Sequence, residues 1–219
     1  MNCDILMSYS QYCYYPLWHY VWLNKYRDRF KKIVLFPSDH NRELSFRDFL
    51  REHIKETWVS DEDAKIDWFT DPPPDWRQSE ATKMLPYSDA EWIFFLEPDF
   101  FHKDHEKFFG LVQQAMDEGA DAVGWMNLTQ FPYLHPASFF IKRSVLEKTQ
   151  KDFKAHPEIP GCDHFAMITR DLEKMGAKIV TYQGLGLNCN VEPDADAFHL
   201  GGLTSNIIDS VVNTNFQFH

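Results

Sequence analysis

Five bulky apolar residues in a row, Trp92-Ile93-Phe94-Phe95-Leu96, stop abruptly at Glu97-Pro98-Asp99. A run this short and this apolar reads as a strand covered on both faces, so the fold must supply a layer on each side. Proline cannot extend a ladder, and the strand ends there. The rest of the chain offers matching pieces. Residues 4–10 read as a first strand, 32–37 as a second and 65–70 as a third, the last closed by Asp71-Pro72-Pro73-Pro74. Between them, Tyr14, Leu17, Trp18 and Val21 recur at helical spacing and predict a helix to about residue 30, while Phe46, Phe49, Leu50 and His53 mark another. A further helix is expected over about 76–85. In the second half, Phe108, Phe109, Val112, Ala115 and Met116 form a helical stripe, and residues 121–125, 138–141 and 178–182 read as strands. Phe165, Ile168, Leu172 and Met175 line one face of a helix over 165–175 that ends at Gly176, a C-cap residue. From residue 184 onward the chain is rich in Gly and Asn and reads as loop with little regular structure.

Strands alternating with helices predict an α/β fold: a mostly parallel sheet covered on both faces, with right-handed crossovers. The strands at 4–10, 32–37, 65–70 and 92–96 are expected to be parallel neighbours. A length of 219 residues fits one domain, and 19 Phe, 9 Tyr and 7 Trp supply its core. In such sheets ligands bind beyond the carboxyl ends of the strands. The residues to inspect are therefore those that follow each apolar run.

The net charge of −11 sets the chain against nucleic acid backbones and anionic membranes. A nucleotide remains compatible if a divalent cation bridges it to the protein. The four cysteines form no CxxC pair, so zinc-ribbon and thioredoxin readings fail, and free thiols in a cytoplasmic protein are expected. No leader or membrane-spanning run is visible.

Alternation along an extended chain points Glu97 and Asp99 to the same side. Two close carboxylates repel unless a cation sits between them, and Mg²⁺ or Mn²⁺ held this way still needs phosphate oxygens to complete its shell. A solvated strand-end turn, with Asp99 capping the next helix, is the competing reading. Residues 76–100, WRQSEATKMLPYSDAEWIFFLEPDF, resemble the core of GT-A glycosyltransferases, most closely family 2, where a helix precedes an apolar strand ending in a DxD-type motif. Glu97-Pro98-Asp99 matches as ExD, with Glu in place of the first Asp. The resemblance implies a single GT-A-like domain over 1–219, with a nucleotide-sugar half at about 1–100 and an acceptor half at about 101–219. It implies Asp99 as a metal ligand and Glu97 as a contact to the metal or the donor ribose.

Two later segments extend the resemblance. Gly161-Cys162-Asp163-His164-Phe165 is similar to the segment that carries the catalytic base toward the acceptor hydroxyl, with Asp163 in that place and Cys162 where a second acid would stand. Asp163 as a plain helix N-cap is the alternative. Phe198-His199-Leu200-Gly201-Gly202 matches the late loop whose His completes the metal shell, implying His199 as a ligand. Ser8 and Tyr9 after the first strand, Asp39 after the second, Asp71 after the third, and Arg77 at a helix start are the expected donor contacts. Residues 134–138, preceded by Trp125, Phe131 and Tyr133, are placed on the acceptor side.

The activity implied is sugar transfer from a nucleotide-sugar donor with Mn²⁺ or Mg²⁺. It would be inverting with Asp163 as base, onto a glycan, protein, small-molecule or nucleic acid acceptor. Two other readings use the same residues. A nucleotidyltransferase or two-metal phosphohydrolase would add a third carboxylate to the pair. A non-catalytic sugar- or nucleotide-binding module would lack a usable base.

Overall fold

The computed structural model describes residues 1–9, 27–37, 51–52, 54–60, 62–64, 76–97, 100–190 and 195–199. Seven strands form the main sheet: β1 (Cys3–Tyr9), β2 (Lys32–Pro37), β3 (Thr57–Trp58), β4 (Trp92–Leu96), β6 (Ala122–Asn127), β7 (Tyr133–Lys142) and β8 (Ile179–Thr181), in the order β3-β2-β1-β4-β7-β6-β8. β1 pairs in parallel with both β2 and β4, β2 with β3, and β6 with β8, as alternating strands and helices predict. β7 runs the other way, antiparallel to β4 and to β6. The sheet passes through both halves of the chain without a break.

The helices expected around 14–30 and 46–53 and the strand at 65–70 fall on residues outside the described ones, apart from a single 3-10 turn at Arg27–Arg29 and helical residues 51–52. The third parallel strand among the described residues is β3, which follows Ile54 and pairs with β2.

Period-two alternation sorts each strand onto two cores. Ile5, Met7, Phe94, Leu96, Val123 and Phe140 face one layer, and Leu6, Phe95, Ala122, Phe139 and Ile141 the other. The first layer is closed by α2 (His105–Asp117), whose five stripe residues are all buried, as their spacing predicts. Asp104 caps it by accepting from the Lys107 N–H at 2.9 Å. The second layer is closed by α1 (Trp76–Met84) and α4 (Ala166–Lys174), with Ala81, Met84, Ile168 and Leu172 turned inward. A short helix, α3 (Arg143–Leu146), follows β7. Gly176 takes φ +66° just past α4, the left-handed residue that ends the helix. Across the β4–β7 pair, Phe94 and Phe140 stack with centroids 3.9 Å apart and planes 8° from parallel. Burying each such ring is worth about 1.5–3 kcal/mol.

The tail read as loop holds two more strands. β5 (Phe100–His102), β9 (Cys189–Asn190) and β10 (Ala197–His199) make a second sheet in the order β5-β10-β9. That corrects the expectation for residues from 184 onward. Strands of two and three residues are too short for periodicity to register, and pairing across the fold is what forms them. Among the described residues, no helix is long and apolar enough to cross a membrane, and Cys3, Cys162 and Cys189 are free thiols.

Asp4 is wholly buried at the foot of β1, away from the carboxyl ends of the strands. Its Oδ2 accepts from Ser88 Oγ at 2.7 Å, Asp89 N–H at 2.8 Å and Ala90 N–H at 2.9 Å. Arg143 donates in turn to Ser88 Oγ and to the Ala90 carbonyl. One carboxylate thereby fixes the turn that launches β4. Asp4→Ala strands three donors, each costing about 1–3 kcal/mol when buried without a partner. A loss of at least about 2 kcal/mol is expected in urea unfolding, with Asp4→Asn, which keeps an acceptor, losing less.

Between α3 and α4 the chain is tied by His156, whose Nε2 lies 3.0 Å from Asp152 and Nδ1 2.9 Å from Glu158. The Cys162 carbonyl accepts from the His156 N–H at 3.3 Å. The bond to Glu158, then that to Asp152, raises the His156 pKa above its ordinary value, outweighing partial burial. A raised value means that the clamp contributes fully below the unfolded value of about 6.5 and is lost as pH rises through the folded one. Exchange of the His156 amide, corrected for intrinsic rate, is expected to gain protection as pH falls from about 8 to 6. His156→Gln is expected to remove that dependence.

Candidate active site

The carboxyl end of β4 delivers Glu97, the first residue beyond the strand. Its N–H donates to the Ala137 carbonyl at 2.8 Å, so the backbone at this point is still locked to β7. Its own carbonyl accepts from the Phe100 N–H at 3.2 Å, and β5 begins there. β10 pairs antiparallel to β5 with His199 opposite Phe100, which carries His199 to the same place. His199 Nε2 lies 3.1 Å from Glu97 Oε2, with the side chains 14% and 11% exposed. β7 brings a third group. Because it runs antiparallel, its beginning lies at the carboxyl end of β4, and this puts His135 beside Glu97. The ligand atoms of Glu97, His135 and His199 all lie within 4.8 Å of one another.

This spacing fits a cation. Two donors about 2.1 Å from a metal and at right angles to each other are roughly 3 Å apart, close to the Glu97–His199 separation. Glu97 also lines a small cavity with Leu6, Glu80, Pro136 and Phe165. Glu80, almost fully buried, is a second carboxylate on the cavity wall, contributed by α1.

The second half of the site is built on Tyr133. Its OH accepts from Asn127 Nδ2 at 3.0 Å and donates to Asp163 Oδ2 at 3.2 Å. Asp163 Oδ1 accepts from the His164 N–H at 2.7 Å. Burial first, then the charges of Asp163 and Glu97, push the Tyr133 pKa far above its ordinary value, so the phenol keeps its proton and stays a donor. Asp163 does not cap α4. The N-cap is Phe165, in the left-handed region at φ 65°, with no side-chain capping bond. The Asp163 carboxylate is exposed and faces the Tyr133 hydroxyl.

Aromatic rings join the two halves. Tyr133 stacks toward His135 at 6.0 Å and 22°, and Trp125 lies on His135 at 4.8 Å and 31°. Trp125 and His135 approach His199 at 6.3 and 5.0 Å. Trp125 occupies a register shift between Gly124 and Met126 in the β6–β7 ladder, and such a bulge re-aims a side chain. Gly124 permits the close approach, because a Cβ there would stand 2.6 Å from the Phe139 Cβ.

Of the residues singled out in the sequence, Glu97 and His199 come together, and Asp163 is linked to them through Tyr133 and His135. Ser8 and Tyr9 end β1, beside Phe36 and Pro37 of β2, and Arg77 lies in the first turn of α1. Asp39, Asp71 and Asp99 fall outside the described residues. His135 entered only within the segment 134–138 expected on the acceptor side, not as part of the cation site. It sits before an apolar run, and only the reversed direction of β7 brings it to the carboxyl edge.

No protein-family model and no curated protein sequence matches the chain. Solved structures do. A mannosyltransferase from Pyrobaculum calidifontis, solved with GDP-Man and Mn²⁺, superposes with TM-score 0.55 at 14% identity over 82% of this chain and 54% of its own. Glucosyl-3-phosphoglycerate synthase from Mycobacterium tuberculosis, solved with Mn²⁺, UDP and glucosyl-3-phosphoglycerate, gives 0.56 at 10% identity over 82% and 68%. A glycosyltransferase involved in glycosylating the major capsid of PBCV-1 gives 0.50 at 13% identity over 97% and 99%. The chain thus spans about half the length of the Pyrobaculum enzyme and nearly all of the viral one. It is a single α/β domain with the GT-A glycosyltransferase fold.

Proposed function

We propose that this chain is a glycosyltransferase that moves a sugar from a nucleotide-sugar donor, with a divalent cation, onto an acceptor hydroxyl. The observation that carries the reading is the meeting of Glu97 and His199, far apart in the sequence, at the carboxyl edge of a GT-A sheet. Glu97, His199 and Asp99 would hold the cation, Mn²⁺ or Mg²⁺. When bound, the cation supplies charge neutralisation for the departing diphosphate. Ser8, Tyr9, Asp39, Asp71 and Arg77 are the proposed donor contacts, and the places of β1 and α1 support Ser8, Tyr9 and Arg77. The Mn²⁺ and the GDP-Man or UDP in the similar structures support the cofactor and donor classes.

Asp163 is the proposed base of an inverting transfer. A base must reach the attacking hydroxyl directly, and an exposed carboxylate held by two donors is aimed without being buried. Tyr133 fixes its direction, and because the phenol holds its proton, the proton from the acceptor goes to Asp163. The acceptor oxygen then attacks the anomeric carbon on the face opposite the diphosphate, whose bond to that carbon breaks with the electron pair. Among the described residues no further carboxylate joins Glu97 in the cluster, which favours one cation over a two-metal hydrolytic centre.

A thermal-shift panel of nucleotide sugars with and without Mn²⁺ tests the donor, since a true ligand raises the melting temperature by mass action. Glu97→Gln and His199→Gln are each expected to weaken Mn²⁺ binding at least about tenfold, read by the Mn²⁺ electron paramagnetic resonance signal. Unchanged binding in both would refute the cation site. Asp163→Asn is expected to keep melting and donor binding near wild type while transfer falls at least roughly 10²-fold. Transfer at the wild-type rate would remove Asp163 from the mechanism.

A further inference from the structure

Asp163 lies on the loop between α3 and α4 and belongs to no strand or helix. Its bond from the His164 N–H is local to that loop and turns with it. The bond from the Tyr133 hydroxyl to Oδ2 is what ties the carboxylate to the sheet. A phenol hydroxyl carries one proton, which can turn toward any acceptor in reach. Asn127 decides where it turns, because Asn127 Nδ2 lies 3.0 Å from the same phenol oxygen. An amide nitrogen can only donate, so the phenol oxygen accepts from Asn127 and its own proton is left for Asp163. With the amide reversed, two oxygens would face the phenol across a single proton, which is the poorer arrangement. The ladder puts Asn127 in this place. Asn127 and Tyr133 stand directly opposite on β6 and β7, the last pair before the hairpin loop 128–132, and opposed side chains share a face. The register shift selects this pair: continued unbroken from Gly124 and Phe139, the ladder would set Asn127 against Pro136. The hairpin loop also reaches the segment of Asp163, with Thr129 Oγ1 3.3 Å from the Gly161 carbonyl.

Given Asp163 as the base proposed above, on which this inference rests, we propose that Asn127 aims the base by committing the Tyr133 hydroxyl proton to the Asp163 carboxylate. It is a positioning residue and acts through Tyr133. The carboxylate is then held at both oxygens by one donor each, and the remaining lone pair on each is left to meet an acceptor hydroxyl. A base on a loop needs such support, because transfer requires it within hydrogen-bond reach of the attacking oxygen. Tyr133 can give that support because it is itself fixed, buried against Cys162 and Ala166. Burial, then the Asp163 charge, keeps the phenol protonated, so Tyr133 orients the base without competing for the acceptor's proton.

The test reads the direction of the carboxylate and the rate separately. In ¹³C,¹⁵N-labelled protein without ligand, the couplings from the Asp163 backbone nitrogen and carbonyl carbon to its carboxyl carbon report the side-chain rotamer. Wild type is expected to show one staggered rotamer, and Tyr133→Phe an average over several. Asn127→Asp keeps the shape but exchanges the donor for an acceptor that draws the phenol proton away, and it is expected to show the same averaging. In the transfer assay applied to Asp163→Asn, both variants are expected to lose about tenfold in kcat, the loss typical of a hydrogen bond to a charged group, with the donor KM within about threefold of wild type. The double variant is expected to be no slower than Tyr133→Phe alone, since Asn127 acts through Tyr133. Asn127→Ala, which removes the donor without adding charge, is expected to lose less in the same direction, and it carries the test if Asn127→Asp does not fold. Wild-type couplings and kcat in the Asn127 variants overturn the inference, and so does a further loss in the double variant. If those variants keep transfer while Asp163→Asn loses it, this inference alone fails. Wild-type transfer by Asp163→Asn overturns the base first, and this inference with it.

Discussion

The reversed pairing of β7 against β4 is the constraint on which the rest depends. Were β7 parallel like its neighbours, its opening residues would lie at the far end of the sheet, beside the Asp4 carboxylate. Because it runs backwards, Tyr133 and His135 arrive at the end where β4 releases Glu97, and Glu97 is bonded directly to Ala137. The Phe94–Phe140 and Phe95–Phe139 pairs hold that register from both faces. A slip of one residue would turn every core phenylalanine to the wrong layer and move the site by the same step.

The second sheet answers a different problem. His199 lies 102 residues after Glu97 in the chain, and nothing local can bring them together. A three-residue strand pairs His199 with Phe100, three residues after Glu97, and the Phe100 N–H bonds to the Glu97 carbonyl. The fold therefore measures the Glu97–His199 distance through a short chain of backbone hydrogen bonds, a rigid ruler compared with a free loop. Lys107 and the Asn188 N–H brace the approach by bonding to Asp196 just before β10.

Much of this was legible in the sequence. The two-sided burial of β4 and the stripe of α2 came through as they stand, because periodicity reports burial directly. The resemblance also names Glu97 and His199 together, and the structure sets their side chains 3.1 Å apart. What escaped has a common cause. Strand direction is a property of pairing and leaves no trace in a strand's own pattern, so His135 was read only within the acceptor-side segment 134–138 and not beside Glu97. Likewise β9 and β10 exist through contacts made elsewhere, and Ala197–His199 alone is too short to show alternation. Asp163 was placed correctly near a helix start, but the left-handed Phe165 takes the cap, a backbone choice that packing against Phe95, Phe139 and Phe153 imposes.

The choice of imidazoles follows from charge. To bind a diphosphate as proposed, a chain of net charge −11 must build a locally positive site from what it has. Carboxylates alone would hold a divalent cation well, yet each one cancels half of its charge. With Glu97 and Asp99 both ionised as proposed ligands, the cation is already neutralised, and a third acid would make the site repel its substrate. His199 can complete the grip without adding negative charge. Keeping Glu80 on the cavity wall and outside the ligand cluster fits the same logic, since a carboxylate there closes the pocket without joining the cation's shell.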